Sequence, residues 1–369
     1  MIEVKDISET QLGTSAVLSQ LSALGHEQVV FCNDAATGLK AIIAIHNTIC
    51  GPSLGGTRMW PYTSEAEALT DVLRLSRGMT YKSAISGLNL GGGKAVIIGD
   101  SRTQKNEALF RRFGKFVNSL AGKYITAEDV GVTTKDIEYI AMETKHVAGK
   151  PEHMGGSGDP SPVTAYGVYM GMKASAKRAY GSDSLSGKMV VVQGAGNVGA
   201  HLVDYLVKEG AKVKLFDIHN DKVAAITGKH SSVQAISADE VYSTPMDIYA
   251  PCALGATIND DTLKLLSCQI IAGAANNQLK DEVKHGLDVL NRGLFYAPDF
   301  LINAGGVINC YTEVVGTDRK AALKHTENIY NTTLSIYEKS AAENIPTSIA
   351  ANKLAEQRIE SIGKLKQTF

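Results

Sequence analysis

The stretch Lys188-Met189-Val190-Val191-Val192-Gln193-Gly194-Ala195-Gly196-Asn197-Val198-Gly199-Ala200 decides the fold. Its valines make a short β-branched run, the glycines a turn, and Val198 to Glu209 a helical stretch that stops at Gly210, a residue suited to the left-handed position after a helix. Gly194, Gly196 and Gly199 satisfy G-x-G-x-x-G. Alone that pattern is weak, but here it has the strand before it and the helix after it that the motif requires. The next segment, Lys212 to Phe216, alternates polar and apolar as a strand does, and Asp217 follows it. Such a turn lets a pyrophosphate approach the backbone and rest at the helix N-terminus. Gly194, Ala195, Gly196, Asn197, Val198, Gly199 and Ala200 are therefore expected to bind a dinucleotide. A carboxylate at Asp217 accepts both ribose hydroxyls of NAD and repels the 2′-phosphate of NADP. The plain alternative, a βαβ turn with a surface Asp217, leaves this order of strand, glycines, helix and acid to coincidence.

Outward from that unit, Asp247-Ile248-Tyr249-Ala250, Gln269-Ile270-Ile271-Ala272 and Leu294-Phe295-Tyr296 are further strand-like runs spaced by helix-length segments. Alternation of this kind predicts a doubly wound parallel sheet. The first 150 residues also read as α/β. Gly38 to His46 puts Leu39, Ala41, Ile43 and Ile45 on one side of a strand. Ser64-x-x-Glu67 predicts a capping box opening a helix with Leu69, Val72, Leu73 and Ser76 on one side. Phe110, Phe113, Val117 and Leu120 mark a second helix. The Gly/Pro/Ser-rich stretch from Gly149 to Pro162 is the expected hinge. The expected organisation is an N-terminal α/β domain over 1–150, a Rossmann domain over 151–343, and a helical segment, 344–369.

Composition narrows the function. The chain has 369 residues, 44% hydrophobic and 20% charged, with a net charge of −1. That is ample apolar material for two cores, and no concentrated cationic face for nucleic acid. The start, Met1 to Asp6, lacks the apolar run of a signal peptide, and no segment is apolar for long enough to span a bilayer. Five scattered cysteines (Cys32, Cys50, Cys252, Cys268, Cys310) contain no Cys-x-x-Cys pair, and the nine histidines no His-x-x-x-His. No disulfide framework and no metal are expected, and reduced thiols point to the cytoplasm.

Glycine is clustered: Gly51 to Gly56, Gly91-Gly92-Gly93, Gly155 to Gly158, Gly194 to Gly199, and Gly305-Gly306. Each cluster singly reads as a tight turn; five of them suggest a shared cleft. Tyr81-Lys82 and Gly93-Lys94 set two lysines around the triple glycine. A lone lysine is ordinarily solvated, but Lys94 runs straight into the apolar strand Ala95 to Ile98. Two ammonium groups close together and partly desolvated disfavour each other's charge, which frees one to act as a base. Thr126-Ala127-Glu128-Asp129 supplies an acid after another strand-like run. A lysine base with a carboxylic acid suits proton transfer at a substrate carbon.

These residues resemble a known family over nearly the whole chain. The resemblance is carried by Gly51-Pro52-Ser53-Leu54-Gly55-Gly56-Thr57-Arg58, Met79-Thr80-Tyr81-Lys82, Leu88 to Lys94, Ala127 to Gly131, Ser161 to Gly167, Gly194 to Gly199, Ala274 to Gln278 and Asn303 to Val307. In this order they are similar to the glutamate/leucine/phenylalanine/valine dehydrogenases, and to the leucine branch most closely. The resemblance implies two α/β lobes about a deep cleft, with the C-terminal helix returning to the first lobe, and a homo-oligomer, an octamer. It implies that Lys82 holds the substrate carboxylate with help from Asn277, that Lys94 is the catalytic lysine and Asp129 its acid/base partner. Thr164 is similar to the residue that fixes the nicotinamide carboxamide, and Asn303 to a cleft residue near the cofactor.

The implied reaction is NAD-dependent oxidative deamination of a small amino acid to a 2-oxo acid and ammonia. Leu54, Ala127, Val307 and Cys310 would line an apolar pocket fitting leucine first, then valine and isoleucine. In relatives that use glutamate a lysine stands at the position of Leu54. Two departures are visible: Asp159 where Asn is expected, and Cys310 where valine is usual. The rivals are a valine, phenylalanine or glutamate enzyme of the same family, and a silent NAD-binding protein, which would have no use for Lys82, Lys94 and Asp129 together.

Overall fold

A computed structural model of the protein describes residues 16–366. Its contacts divide the chain into two units. The first runs to Gly158 and takes in Glu313–Gly316 and the chain from Ala355; the second is Asp159–Thr312 with Thr317–Leu354.

The first unit is built on five strands: β1 (Gln28–Asp34), β2 (Leu39–Asn47), β3 (Ser53–Trp60), β4 (Gly91–Ile98) and β5 (Tyr124–Glu128). They lie in the order β1-β2-β4-β3-β5, with β3 parallel to β4 and β5 and the other pairings antiparallel. Side chains alternate faces along a strand, so parity assigns them. Leu39, Ala41, Ile43 and Ile45 share one apolar cluster with Phe110, Phe113, Val117 and Leu120 of the helix Glu107–Ser119 and its cap. The opposite side of β2 is buried as well: Ile42 and Ala44 pack with Val96 against Ala68, Leu69, Val72 and Leu73 of the helix Glu65–Ile85. β2 is thus covered on both faces. Each fully buried side chain of this size contributes about 1.5–3 kcal/mol.

The helix Glu65–Ile85 begins as expected at Ser64, whose Oγ accepts the Glu67 N–H at 3.1 Å. The return half of the capping box is shifted by one residue. The Glu67 carboxylate accepts from Thr63 N and Oγ1, at 2.7 and 2.6 Å, one residue before the cap.

In the second unit, six parallel strands follow: β6 (Met189–Gln193), β7 (Lys212–Phe216), β8 (Gln234–Ala235), β9 (Ile248–Pro251), β10 (Ile270–Ile271) and β11 (Phe295–Tyr296). Their order is β11-β10-β9-β6-β7-β8. Numbered from β6, this is the 3-2-1-4-5-6 sheet that binds dinucleotides where the order reverses, between β6 and β9. The long helix Ser161–Tyr180 precedes β6. Its Gly171 is pressed against Ile302, where a Cβ would lie 2.3 Å from Cγ2. The last helix, Thr347–Lys366, starts in the second unit and ends in the first. Near its end Arg358 donates to Leu88 O at 2.7 Å and to Asn89 Oδ1 at 3.1 Å.

Candidate active site

Sheet register gathers the first unit's candidates. Leu54 on β3 pairs with Gly92 on β4 and with Ile125 on β5; Gly56 pairs with Ala127, and Arg58 with Val96. By alternation Leu54, Gly56, Arg58, Lys94 and Ala127 all point to the face covered by the helix Glu65–Ile85. Gly92 permits that closeness, since a Cβ there would lie 2.1 Å from Thr80 N. Lys82 stands in the last turn of the same helix. Leu54 is buried, Ala127 is buried, and Lys94 is 5% exposed.

Buried charge needs a partner, and Lys94 has one: its Nζ donates to Asp129 Oδ2. Asp129 opens a turn closed by Val132 N–H donating to Asp129 O at 2.9 Å. The turn is pinned on β3 by Met59 N–H donating to Val130 O at 2.9 Å. Gly131, at φ 80°, crosses Met59 so closely that a Cβ would sit 2.1 Å from its carbonyl oxygen. Gly56 leaves room for the carboxylate's approach: a Cβ there would be 3.0 Å from Asp129 Cβ. The second Asp129 oxygen accepts Val130 N–H at 2.5 Å and faces Arg58 Nε at 3.5 Å. Burial pushes the Asp129 carboxyl up, but Lys94 and then Arg58 outweigh it and hold it below the usual carboxylate range. Arg58 and its partner Asp71, 2.9 Å from Nη1, are the residues that sequence reading left without a role. The available signal was parity, which puts Arg58 on the face of Leu54.

The second unit carries the glycine turn. Gly194, at φ 120°, fits between strands, where a Cβ would lie 2.8 Å from Ala253 N just beyond β9. Gly199 packs the helix Asn197–Glu209 on the turn, its missing Cβ 2.0 Å from Gly194 O. Around Gly196 a Cβ would meet nothing within 4 Å. That open flank at a helix start, with two neighbouring glycines consumed by packing, fits a pyrophosphate. Asp217 lies beside it: its carboxylate accepts Ala195 N–H at 2.7 Å and His219 N–H at 2.9 Å. Burial raises the Asp217 carboxyl, and these two bonds more than reverse the effect, so it is ionised.

Thr164 stands in the first turn of the helix Ser161–Tyr180, 3.4 Å from where Gly306 would carry a Cβ. At Gly305 a Cβ would come within 2.5 Å of Thr164 Cα, so glycine brings the two helix starts together. Asn303 is buried and donates to Ala274 O at 3.0 Å and to Asn276 Oδ1 at 2.7 Å. Asn277 is exposed and left-handed, at φ 52°. The neighbouring Gln278 holds it there, fully buried, donating to Gly273 O and Ala275 O while its N–H donates to Asp299 at 3.0 Å. Val307 and Cys310 lie one turn apart on the helix Gly305–Val315. Asp159, the departure at the hinge, accepts Ser161 N–H at 2.9 Å, a bond an asparagine could also make.

Among the described residues, Asp260, His285 and Asp288 lie close enough together to hold an ion. His285 Nδ1 accepts Asp281 N–H at 2.9 Å, so the neutral ring keeps its hydrogen on Nε2, the nitrogen facing Asp260 at 3.6 Å. Lys284 already holds Asp260 at 2.5 Å. The geometry is that of a capped helix with an ion pair. Among the described residues no helix is long and apolar enough to cross a membrane.

A nucleotide-binding sheet with a glycine turn, and a second α/β unit with a buried lysine–carboxylate pair, define a dehydrogenase. Residues 26–146 match the Glu/Leu/Phe/Val dehydrogenase dimerisation domain, and 155–217 with 214–364 match the Glutamate/Leucine/Phenylalanine/Valine dehydrogenase family. A leucine dehydrogenase of Geobacillus stearothermophilus is 54% identical over 344 residues, 93% of each chain. A valine dehydrogenase of Streptomyces coelicolor is 47% identical over 337 residues, 91% of this chain and 92% of that one. The crystal structure of L-tryptophan dehydrogenase from Nostoc punctiforme superimposes with a TM-score of 0.85 at 42% identity, covering 94% of this chain and 99% of that one. The chain belongs to the glutamate/leucine/phenylalanine/valine dehydrogenase family: it is an amino-acid dehydrogenase, of a pyridine-nucleotide-dependent family acting on small molecules.

Proposed function

We propose that the protein oxidatively deaminates L-leucine, and valine and isoleucine beside it, reversibly, to the 2-oxo acid and ammonia, with NAD as oxidant. The observation that carries this reading is the buried Lys94–Asp129 pair on the same sheet face as the apolar Leu54 and Ala127. NAD, held by Gly194–Ala200, Asp217, Thr164 and Asn303, supplies the acceptor for the Cα hydride. Lys82 holds the substrate carboxylate, and the Asn277 amide adds a second polar contact. The amino group reacts as the free amine, its ammonium proton lost to solvent, so departure of the Cα hydride leaves an iminium, and Lys94 takes a proton from the water that adds to the iminium carbon. Asp129 carries that proton to the amine nitrogen, the C–N bond breaks to release ammonia, and the hydroxyl proton returns to the Lys94–Asp129 pair as the ketone forms.

The family resemblance assigns Leu54, Ala127, Val307 and Cys310 to the substrate side chain, and none of the four carries a charge. A glutamate side chain would bury its carboxylate there without a partner, which is costly. The 47% identical valine dehydrogenase favours valine as the second reading. One methylene separates the two substrates, worth only about 1–3 kcal/mol. In this reading the enzyme works in the cytoplasm as a homo-octamer, assembling through the first unit, and sedimentation of the purified protein measures its size. The test of the activity is NADH formation with each of the twenty amino acids: leucine is expected first, with valine and isoleucine accepted. Glutamate or phenylalanine ranking first would exclude the pocket.

A further inference from the structure

Lys94 and Asp129 do not stand alone on their sheet face. Arg58, two strand positions beyond Gly56, faces Asp129 Oδ1 through Nε at 3.5 Å and reaches Asp71 with Nη1 at 2.9 Å. The Asp71 oxygen that takes the guanidinium also accepts the Tyr62 hydroxyl hydrogen at 2.5 Å. Burial raises the Tyr62 phenol well above its ordinary range, with the bond to Asp71 acting in the same direction, so Tyr62 stays a neutral donor. Arg58 is about a quarter exposed, as is Asp71. Two cations and two carboxylates therefore alternate from Lys94 to Asp129 to Arg58 to Asp71, with no net charge.

We propose that Arg58 and Asp71 are positioning residues that together set the pH at which the Lys94–Asp129 pair gives up its proton. The proposal rests on the reading of that pair as the proton-transfer machinery. The charged and titratable groups around the pair are Arg58 from β3, Asp71 and Lys82 from the helix Glu65–Ile85 with Tyr62 behind Asp71, and Tyr124, which feels Asp129 from the other face of β5. Tyr124 is fully buried, donates to Gly55 O at 2.7 Å, and is raised well above the ordinary phenol range by that burial, so it carries no charge. Lys82 is a further cation on the covering helix and stays unchanged in every variant below, so Arg58 and Asp71 are the charges that are varied. The two ends of the pair are coupled and titrate as a unit. Arg58 draws on Asp129 and weakens its grip on the Lys94 proton; Asp71 draws on Arg58 and restores that grip. Removing either one should move the pair in opposite directions, and this distinguishes electrostatic positioning from loss of structure.

The experiment is the pH profile of kcat/KM for oxidative deamination in the wild type, Arg58→Gln, Arg58→Lys, Asp71→Asn and Asp129→Asn. Oxidative deamination needs the pair without its extra proton, so the rate rises with pH. Arg58→Gln leaves the cluster one negative charge richer and should move the rise to higher pH by roughly half to one unit, allowing for partial exposure. Asp71→Asn leaves it one positive charge richer and should move the rise to lower pH by about the same amount. Arg58→Lys, keeping the charge, should stay nearer the wild type than Arg58→Gln. Profiles that coincide, or that move the same way in Arg58→Gln and Asp71→Asn, overturn the proposal. If Arg58→Gln does not fold, the direction for Asp71→Asn decides by itself. Asp129→Asn tests the underlying reading separately: near-normal turnover in that variant removes the pair from the chemistry, whereas its loss with unmoved Arg58 and Asp71 profiles removes the proposal alone.

Discussion

The backbone N–H of Ala195 donates to the carboxylate of Asp217 at 2.7 Å, so the acid that closes β7 also fastens the glycine turn. Asp217 is therefore expected to act twice, once on the turn and once on the ribose. Asp217→Asn keeps an acceptor for Ala195 and removes the charge. It should narrow the preference for NAD over NADP by about 5- to 150-fold, the equivalent of the ~1–3 kcal/mol of repulsion expected in a partly desolvated site. Asp217→Ala should weaken both cofactors as well, because the turn loses its tie. The ratio of kcat/KM for the two cofactors measures this, and a wild type faster with NADP would show the assignment of Asp217 to be wrong.

Lys94 and Lys82 should separate in kinetics. Lys94→Ala is expected to lower kcat by about 10²- to 10⁴-fold while dinucleotide binding, followed by fluorescence, is retained. Lys82→Ala should act mainly on the KM for the amino acid. Near-normal turnover by Lys94→Ala would remove the proposed base.

Substrate preference should follow pocket volume. Ala127 is buried on the face of Leu54. Ala127→Gly deletes one methyl group and should raise kcat/KM for phenylalanine relative to leucine by up to about 10-fold. An unchanged ratio would place Ala127 outside the pocket.

Stability should fall on mild acidification through two histidines. The His26 and His46 rings meet edge to face, 4.8 Å apart. His46 is buried between Thr80, at 2.8 Å, and Leu24 O, at 3.1 Å. Burial lowers His26 to about 4 and His46 to about 3, with Arg77 nearby adding to both. Their folded values lie below the unfolded value near 6.5, so the unfolded chain takes up protons first. The neutral pair contributes its full stability above pH 6.5, and this is lost as pH falls from there towards 4 and 3, at about 1.4 kcal/mol per pH unit per histidine. Unfolding of His26→Asn/His46→Gln should therefore depend less on pH between 6.5 and 4.5 than that of the wild type. Parallel curves would show that the pair is not the acid-sensitive element.

Much of this was legible in the chain. The run from Lys188 to Ala200 became β6, its turn and its helix, and Gly210 takes φ 86° where that helix ends. Phe110, Phe113, Val117 and Leu120 are buried together as their spacing predicts. These features depend on neighbours within a few residues, and periods of two or 3.6 record them directly. Less was legible at β2: odd positions announced one buried face, while Ile42 and Ala44 were buried by a helix that begins only at Glu65. The capping box was half legible, because Thr63 offered the Glu67 carboxylate two donors one residue earlier.

The sequence by itself determined the periodic elements, the glycine turn with Asp217, and the residue types available for chemistry, because each is written in local order. Only the tertiary structure decided that Lys94 meets Asp129, that Arg58 stands between Asp129 and Asp71, and that Leu54 and Ala127 share their face. Those meetings follow from the register of β3 against β4 and β5 and from the helix laid over them. A shift of one residue in that register would turn every one of these side chains to the other side of the sheet.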